Sequence, residues 1–221
     1  MEFLFAIVLT VVLLAAVVSV TVMALRQRRR RRRLAQQAHV AGLRFAPEDP
    51  FDVALRYRRF ALMEAGHSPR AHNVTYGRLH GLPVRAFDFR YEVGHGTRRL
   101  TCHYAVTVAE TERRLSSVLL WSSGDMQTAP LAVRHCRTCV GPWVCDEASG
   151  AGAKLASAVA DFGADGGSIQ ACGGTVMLCR PGSRAKRGYI TGIETIENVV
   201  RVLCEQADNQ PSGSVEKEPG A

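Results

Sequence analysis

The hydrophobic pattern of the chain begins with an uncharged stretch over residues 3–25, whose few polar side chains are those of Thr10, Ser19 and Thr21. At about 1.5 Å per residue, a helix of this length covers roughly 34 Å, enough to cross a hydrocarbon core of about 30 Å. A core helix of a soluble domain would keep a polar face, and a cleaved secretory signal would start with basic residues and have a shorter apolar part. The pattern therefore predicts one transmembrane helix.

A run of arginines follows this stretch and sets the expected topology. It comprises Arg26, Arg28, Arg29, Arg30, Arg31, Arg32 and Arg33. Basic residues beside a membrane span stay on the cytoplasmic side, so the N-terminus should face outward and the rest of the chain should lie in the cytoplasm. The predicted location is the inner (plasma) membrane, as a single-pass protein. The same arginines are candidate membrane-surface residues, because anionic lipid headgroups attract each of them by about 1 kcal/mol.

Residues 34–66 are predicted to form a helical connector between the membrane and the main domain. The segment 34–40 can extend the membrane helix, and Gly42 can end that helix in a left-handed conformation. A second helix should begin with Asp49 as N-cap and Pro50 at the first helical position, and should continue to the end of the connector.

From His72 onward, the period of the apolar residues changes from that of a helix to that of a strand. Two alternating runs, separated by a turn at 94–96, place on one face Phe87, Phe89, Tyr91 and Val93, and then Leu100, Cys102, Tyr104, Val106 and Val108. Two such runs joined by a glycine-containing loop predict a hairpin. With a further strand at 115–121, residues 72–121 are expected to form an antiparallel meander with one face exposed to solvent.

Helical spacing returns in the C-terminal third. One helix is predicted from Leu155, Val159 and Phe162. A second should begin at a capping box of Thr191 and Glu194 and use an apolar face made of Ile193, Ile196, Val200, Leu203 and Ala207. Between these helices, two short apolar runs flank Gly173-Gly174, as in a tight hairpin.

These elements predict an α+β fold: an N-terminal transmembrane helix followed by a small domain with an antiparallel sheet covered by helices on one face. The expected organisation is a transmembrane helix and polybasic flank over 1–33, the helical connector over 34–66, an α+β cytoplasmic domain over 67–207 and a tail over 208–221. The tail is expected to be disordered, because Pro, Gly, Ser and charged residues dominate it.

The net charge of +8 suggests a nucleic-acid partner, but the distribution of the charge does not support one. Seven of the 28 Lys and Arg residues lie at 26–33, and one of the 20 acidic residues is Glu2, which leaves 21 basic and 19 acidic residues from position 34 onward. Domains that bind nucleic acid carry their basic residues across a folded face. Nucleic acid is therefore disfavoured, and the expected partner is a lipid bilayer with anionic headgroups.

A cysteine-rich segment contains the ligand-like motif of the sequence. Its members are His135, Cys136, Cys139 and Cys145. Two thiolates two residues apart could hold zinc together with Cys145 or His135, although structural zinc sites usually pair one such motif with a second. A redox role would need a helix after the motif, which Pro142 opposes. Structural cysteines, a zinc site and a redox pair are thus three open interpretations.

Motifs of known catalytic sites are missing from the sequence. It has no Gly-x-Ser-x-Gly, no His-Glu-x-x-His, no Walker loop and no dinucleotide-binding fingerprint. The remaining cysteines are expected to be small buried hydrophobes, and they are Cys102, Cys172, Cys179 and Cys204. The prediction therefore names no catalytic residue and no cofactor other than zinc, and it leans away from an enzyme.

Several stretches resemble a known family. They are Gly42-Leu43-Arg44-Phe45, Glu48-Asp49-Pro50, the segment 68–74 with Arg70, His72 and Asn73, and the segment 81–91. They are similar to uncharacterised single-pass membrane proteins of actinobacteria whose cytoplasmic part is a domain of unknown function. The resemblance covers residues 1–108, is looser in the C-terminal third and breaks at about 122–150. It implies membrane anchorage and no particular activity.

Together, these patterns predict a membrane-anchored cytoplasmic domain of unknown function, a non-enzymatic binding or scaffolding module near the inner leaflet. Another membrane or cytoplasmic protein is left open as a second partner. The alternative is a zinc- or thiol-dependent accessory enzyme or redox sensor that uses Cys136 and Cys139.

Overall fold

The structure, a computed structural model, describes residues 2–134, 136, 138–146, 151–159, 162, 166–182 and 188–208. Within these residues the helices are α1 (Glu2–Val40), α2 (Val53–Arg56), α3 (Leu131–Arg134), α4 (Ala151–Ala158) and α5 (Gly188–Asp208). The strands are β1 (Arg44–Glu48), β2 (His67–Leu79), β3 (Leu82–Val93), β4 (Leu100–Ser122), β5 (Thr138–Val140), β6 (Trp143–Asp146) and β7 (Ser168–Pro181). Short 3-10 segments lie at Ala61–Glu64, Gly96–Arg98 and Ser123–Thr128.

α1 is one continuous helix that carries both the apolar stretch and the arginines after it. The large apolar side chains described in the apolar stretch are exposed, and the hydroxyls of Thr10 and Thr21 donate to the carbonyl oxygens of Ala6 and Val17, one turn earlier. Among the described residues, α1 is the helix that is long and apolar enough to cross a membrane. The predicted N-terminal anchor is therefore confirmed as an exposed apolar helix of spanning length.

The domain is built on one antiparallel sheet in the order β1-β2-β3-β4-β6-β5, with β7 also paired to β4. β4 is its central strand: it pairs with β3 over Leu100 to Ala109, with β7 over most of its length and with β6 at its end. The strand predicted at 115–121 is the second half of β4. The predicted α+β class with an antiparallel sheet is confirmed.

Both faces of this sheet are covered. On one, which we call the anchor face, Val84 and Ala86 pack with apolar residues of α1, α4 and α5. On the opposite face, Phe87 and Phe89 pack with α2 and the 3-10 segment that follows it. The expectation of one solvent-exposed face was wrong. In an alternating pattern, a small residue such as Ala86 does not indicate whether its face is buried or exposed. In the structure Ala86 is fully buried, because its small side chain allows a helix to approach the strand closely.

β7 is one bent strand where the sequence predicted a hairpin. Gly173 has a φ of +63°, and the register between β4 and β7 shifts beside it, between Glu110 and Leu115. A side chain on Gly174 would overlap the carbonyl oxygen of Thr111. Gly173 supplies a left-handed residue and Gly174 permits the close backbone approach at the place where β7 passes the irregular part of β4.

The segment expected to be a helical connector contains β-structure. Gly42 ends α1 with a φ of +70°, as expected, but Arg44–Glu48 forms the edge strand β1. The carboxylate of Asp49 accepts from the backbone N–H groups of Phe51 and Val53 at 3.0 and 2.8 Å. The helix that follows begins at Val53 with Asp52 as its N-cap, so the predicted cap at Asp49 and the first helical position at Pro50 were wrong. That helix, α2, is one turn long, and the long helix expected here was wrong.

α5 confirms the predicted C-terminal amphipathic helix. Ile193, Ile196 and Leu203 are buried on the anchor face. The predicted capping box was wrong, because α5 already includes Gly188 and Thr191 lies inside its first turn. The tail from 209 onward lies outside the described residues, and the predicted domain boundaries stay predictions.

Candidate functional site

α1 enters the domain without a flexible linker. Leu34 and Ala38 are 6% and 3% exposed and lie in the apolar cluster of the anchor face with Val84 and Ala86. The two helical residues are four positions apart and share one side of the helix, and Arg30 lies one turn before them on that side. The helix that carries the apolar stretch is therefore also part of the domain core.

Arg30 forms a polar contact between the anchor and the sheet. Its Nη2 donates to Oδ1 of Asp88, on β3, at 2.9 Å. The side chain of Arg30 is 57% exposed, whereas that of Asp88 is only 10% exposed. Asp88 is thus a largely buried acceptor that an arginine next to the apolar stretch reaches from outside the sheet.

The second oxygen of Asp88 is held from β2. Nδ2 of Asn73 donates to Oδ2 of Asp88 at 2.8 Å. Asn73 has a φ of +55° and lies at a register shift between His72 and Thr75. Because asparagine is one of the few residues that readily adopt this left-handed conformation, the bulge and the hydrogen bond favour the same residue.

Two further side chains approach Asp88. Nε2 of His72 lies 3.9 Å from its Oδ2. Burial lowers the pKa of His72; the Asp88 charge opposes this shift, and the charges of Arg90 and Arg30 add to it. Burial raises the pKa of Tyr189, on α5, and the neighbouring Asp88 carboxylate raises it further. Both side chains are therefore neutral at pH 7.

We call this set of residues the junction cluster, and its members are Arg30, His72, Asn73, Asp88 and Tyr189. It joins α1, β2, β3 and α5 around one carboxylate. The 3.9 Å between His72 and Asp88 is longer than a hydrogen bond. The members of the cluster include no serine, threonine or cysteine that could act as a nucleophile. The arrangement therefore joins the anchor helix to the sheet through hydrogen bonds to one carboxylate.

A second ionic group lies on the opposite face, and we call it the distal cluster: Arg56, Tyr57, Arg85 and Glu110. Oε1 of Glu110 accepts from the Tyr57 hydroxyl at 2.8 Å and from Nη2 of Arg56 at 3.1 Å, and it lies 2.8 Å from Nη1 of Arg85. Nη1 of Arg85 also donates to the Tyr57 hydroxyl at 2.7 Å. The guanidinium of Arg85 covers the ring of Phe51, 5.1 Å from its centroid.

The distal cluster holds its carboxylate in the ionised form. Burial alone would raise the pKa of Glu110, but hydrogen bonds from Arg85 and Tyr57 and the charges of Arg85 and Arg56 lower it below its usual value. Burial raises the pKa of Tyr57 to about 12, so the hydroxyl keeps its proton and remains a donor. All four residues belong to the domain itself, so this network stabilises the fold.

Two of the predicted metal ligands lie on opposite faces of the β5–β6 hairpin. Cys145 is 1% exposed in the core of the anchor face, and its thiol donates to the carbonyl oxygen of Thr138 at 3.7 Å. Thr138 pairs with Cys145 across β5 and β6, so the next residue, Cys139, points to the other face, where it is exposed. Cys136 is half-buried just before β5, and His135 lies outside the described residues.

In the part of the chain that the structure describes, no three His, Cys, Asp or Glu side chains are grouped so as to hold a metal ion. The zinc site and the redox pair stay predictions. Cys102 and Cys179 are buried as expected, whereas Cys172 and Cys204 are half-buried. Burial raises the pKa of the Cys179 thiol to about 12, which makes it unreactive at neutral pH.

The predicted surface arginines fall into two groups. Arg30 is exposed but contacts the sheet, and Arg31 is half-buried. The exposed members without a described contact to the sheet are Arg26, Arg28, Arg29, Arg32 and Arg33. Sequence reasoning missed Asp88, because β3 was assigned a wet face on this side. The sequence did contain a signal for its burial. Asp88 lies on the same face of β3 as Val84 and Ala86, and two small apolar residues on one face of a strand indicate that this face is buried.

The anchor, the sheet and the junction define a class of protein: an α+β domain on an antiparallel sheet that packs directly on the end of a long apolar N-terminal helix. One solved structure with a similar fold is the crystal structure of the mycobacterial trehalose monomycolate transport factor A, TtfA. The two chains are 15% identical, with a TM-score of 0.54, and the match covers 83% of this chain and 97% of that one.

At this identity the likeness shows a common fold alone. The neighbour comes from an actinobacterium, the group to which the sequence resemblance also points. No protein-family model matches the chain, and no curated protein matches it significantly.

Proposed function

We propose that this protein is a non-enzymatic binding or scaffolding module that holds its domain against the cytoplasmic face of the plasma membrane. The observation that carries the proposal is the continuity of α1, which leaves the apolar stretch and becomes part of the domain core within about three turns. A flexible tether would let the domain diffuse around its anchor, whereas this helix fixes its distance and rotation.

The orientation follows from the arginine run. Six exposed arginines directly after the apolar stretch oppose translocation, because basic residues next to a span remain on the cytoplasmic side. Anionic headgroups of the inner leaflet are then the lipid partner of these side chains. Arg30 has a second partner in Asp88, so the same segment binds lipid on one side and the domain on the other.

The structural neighbour is a transport factor by its name, which is compatible with an accessory role at a membrane. The partner that we propose is another membrane or cytoplasmic protein, recognised by a domain held in one orientation. Neither ionic cluster contains a serine, threonine or cysteine nucleophile, which supports a binding role over a catalytic one of the common nucleophilic kind.

The orientation can be tested with a residue that the structure exposes. Cys139 is an exposed thiol, so a membrane-impermeant maleimide should label it in inside-out vesicles and leave it unlabelled in intact spheroplasts. The matched control is Cys139→Ser, in which this labelling should disappear. Labelling of Cys139 in intact spheroplasts would place the domain outside the cell and overturn the proposal.

The binding role is tested by affinity capture of the full-length protein in discs of its own membrane lipid. A specific protein should be retained equally by the wild type and by a Cys136→Ser, Cys139→Ser variant. Retention of no protein above background would count against a scaffold. Loss of the partner in the cysteine variant would instead favour the zinc- or thiol-dependent alternative.

A further inference from the structure

The contacts of α1 give the sheet a membrane-facing end. Leu43, just beyond the C-terminal end of α1, lies against Gly77, which pairs with Val84 at the start of β3. Arg30, thirteen positions closer to the membrane, contacts Asp88 further along the same strand. β3 therefore runs toward the membrane, and the turn between β3 and β4 lies at the end of the sheet that faces the bilayer.

α5 gives the same direction independently. Its first turn places Tyr189 beside Asp88, whereas eight residues later Glu197 lies 2.8 Å from Nδ1 of His80, in the turn between β2 and β3. α5 thus starts near the level of Arg30 and runs away from the membrane. The β2–β3 turn is at the far end of the domain, opposite the β3–β4 turn.

The lengths of the two elements bring the β3–β4 turn to the level of the headgroups. From Arg30 to Leu25, the last apolar residue of the stretch, the helix rises roughly 7.5 Å. From Asp88 to Val93 the strand extends about 17 Å. With about two-thirds of that length parallel to the helix axis, the turn lies roughly 11 Å closer to the membrane than Asp88 does. This distance exceeds the rise from Arg30 to Leu25, so the turn lies beyond the end of the apolar stretch.

The side chains at this end are suited to such a surface. We define the membrane-facing edge as Arg70, Arg90, Arg98, Arg99 and Leu100. All five are exposed, and Leu100 is an apolar side chain left 56% exposed. Arg70 and Arg90 are register partners on β2 and β3, so they add to the basic surface beside the turn. An exposed leucine among arginines is the composition of segments that lie in a membrane interface.

Acidic residues do not neutralise the edge. Glu92 lies 3.2 Å from Arg99 and 3.9 Å from His67, and Glu64 is exposed nearby, before β2. Two carboxylates thus face four exposed arginines. The rings of His67 and His95 stack with centroids 5.3 Å apart, which ties the turn to β2 and presents the edge as an ordered surface.

We propose that the membrane-facing edge is a second lipid-binding surface, at which arginines bind anionic headgroups while Leu100 enters the interface. The proposal rests on the proposed function, because it requires the domain to lie at the inner leaflet. It extends the arginine run of α1 into a continuous basic surface. Contact at two places, the anchor and the β3–β4 turn, would prevent the domain from tilting about the helix.

The test places a fluorophore at the two opposite ends of the full-length protein. Thr97→Cys labels the β3–β4 turn and Arg78→Cys labels the exposed far end, each in a Cys136→Ser, Cys139→Ser background. The protein is reconstituted into discs of phosphatidylcholine alone or with added phosphatidylglycerol, with lipids spin-labelled at the headgroup. We expect quenching and a blue shift at position 97 in the anionic discs, several-fold above those at position 78.

A matched variant, Arg70→Gln with Arg98→Gln, should lose the difference between the two positions while keeping the circular dichroism spectrum of the wild type. Equal, weak quenching at both positions in anionic discs would overturn the proposal. Equal quenching at position 97 with and without phosphatidylglycerol would overturn the assignment to anionic headgroups. The maleimide test on Cys139 is read separately, so a correctly oriented domain without quenching at position 97 leaves the proposed function intact.

Discussion

The two ionic clusters occupy opposite faces of one sheet and differ in where their arginines come from. In the distal cluster, Arg56 and Arg85 are residues of the domain, and they converge with Tyr57 on one oxygen of Glu110. In the junction cluster, the arginine comes from the anchor helix, and the domain supplies the carboxylate of Asp88.

This difference shows what each cluster does for the molecule. The distal cluster has redundant donors and low exposure, with Arg85 16% and Glu110 25% exposed, so it fixes the arrangement of α2, β3 and β4. The junction cluster has one half-exposed arginine, so it adds less to stability but orients the domain on its anchor. Variants should therefore separate stability from orientation.

The largest expected effect is that of Glu110→Ala. It leaves the guanidinium of Arg85 largely buried without its carboxylate, which should lower the free energy of unfolding by about 3 kcal/mol, allowing for partial exposure. Unfolding in denaturant can be followed by near-ultraviolet circular dichroism of the buried Trp121 and Trp143. The control is Glu112→Ala, an exposed neighbour, which should change stability by less than about 0.5 kcal/mol. Equal effects of the two would show that the network does not stabilise the fold.

A smaller loss is expected for Asp88→Ala. The amide of Asn73 then loses its buried acceptor, which should cost about 2 kcal/mol.

Arg30→Gln should cost less than about 1 kcal/mol, because this side chain is half-exposed. Both variants should broaden the distance distribution between spin labels on α1 and on the domain, which Glu110→Ala in its folded state should not do. Unchanged distributions would show that the apolar contacts of Leu34 and Ala38 orient the anchor alone.

The pH dependence of stability should distinguish the clusters without removing a contact. The folded-state pKa of His72 is lowered from 6.5, so its contribution is complete above that pH and is lost as the pH falls toward the lowered pKa. The pKa of Glu110 is lowered from 4.5, so its contribution persists above that value and is lost only in more acidic solution. His72→Gln should reduce the loss of stability that begins as the pH falls below 6.5, and it should leave the loss below pH 4.5 unchanged. A profile unchanged by His72→Gln would contradict the burial of this imidazole.

The smallest effect is expected for Cys139→Ser, which should change stability by less than about 0.5 kcal/mol, because the side chain is exposed. Thiol labelling should reach Cys139 first and Cys179 last, since burial keeps the latter protonated. Stoichiometric zinc in purified wild-type protein, lost in Cys139→Ser, would contradict this expectation and support the alternative function.

The sequence predicted particular elements well because their signals are local. The apolar stretch, the end of α1 at Gly42 and the apolar side of α5 follow from composition and spacing within a few turns. The hairpin expected at Gly173-Gly174 failed because the same dipeptide also suits a bulge, and only the neighbouring strand decides between the two.

The candidate site was predicted only in part. The arginine run was found, but Asp88, the partner of Arg30, was assigned to solvent. Arg30 and Asp88 are separated by 58 positions, a distance over which periodicity carries no information. The cysteine motif has ligand-like spacing, yet strand geometry directs Cys139 and Cys145 to opposite faces.

By itself, the sequence determined that the chain has an apolar helix of spanning length with a basic flank, followed by an α+β domain, because these properties depend on composition and on the period of neighbouring residues. Only the tertiary structure decided that both faces of the sheet are covered and that Asp88 receives an arginine from the anchor. Those features depend on which surfaces meet, and burial of apolar area across the whole chain selects among the pairings that local patterns allow.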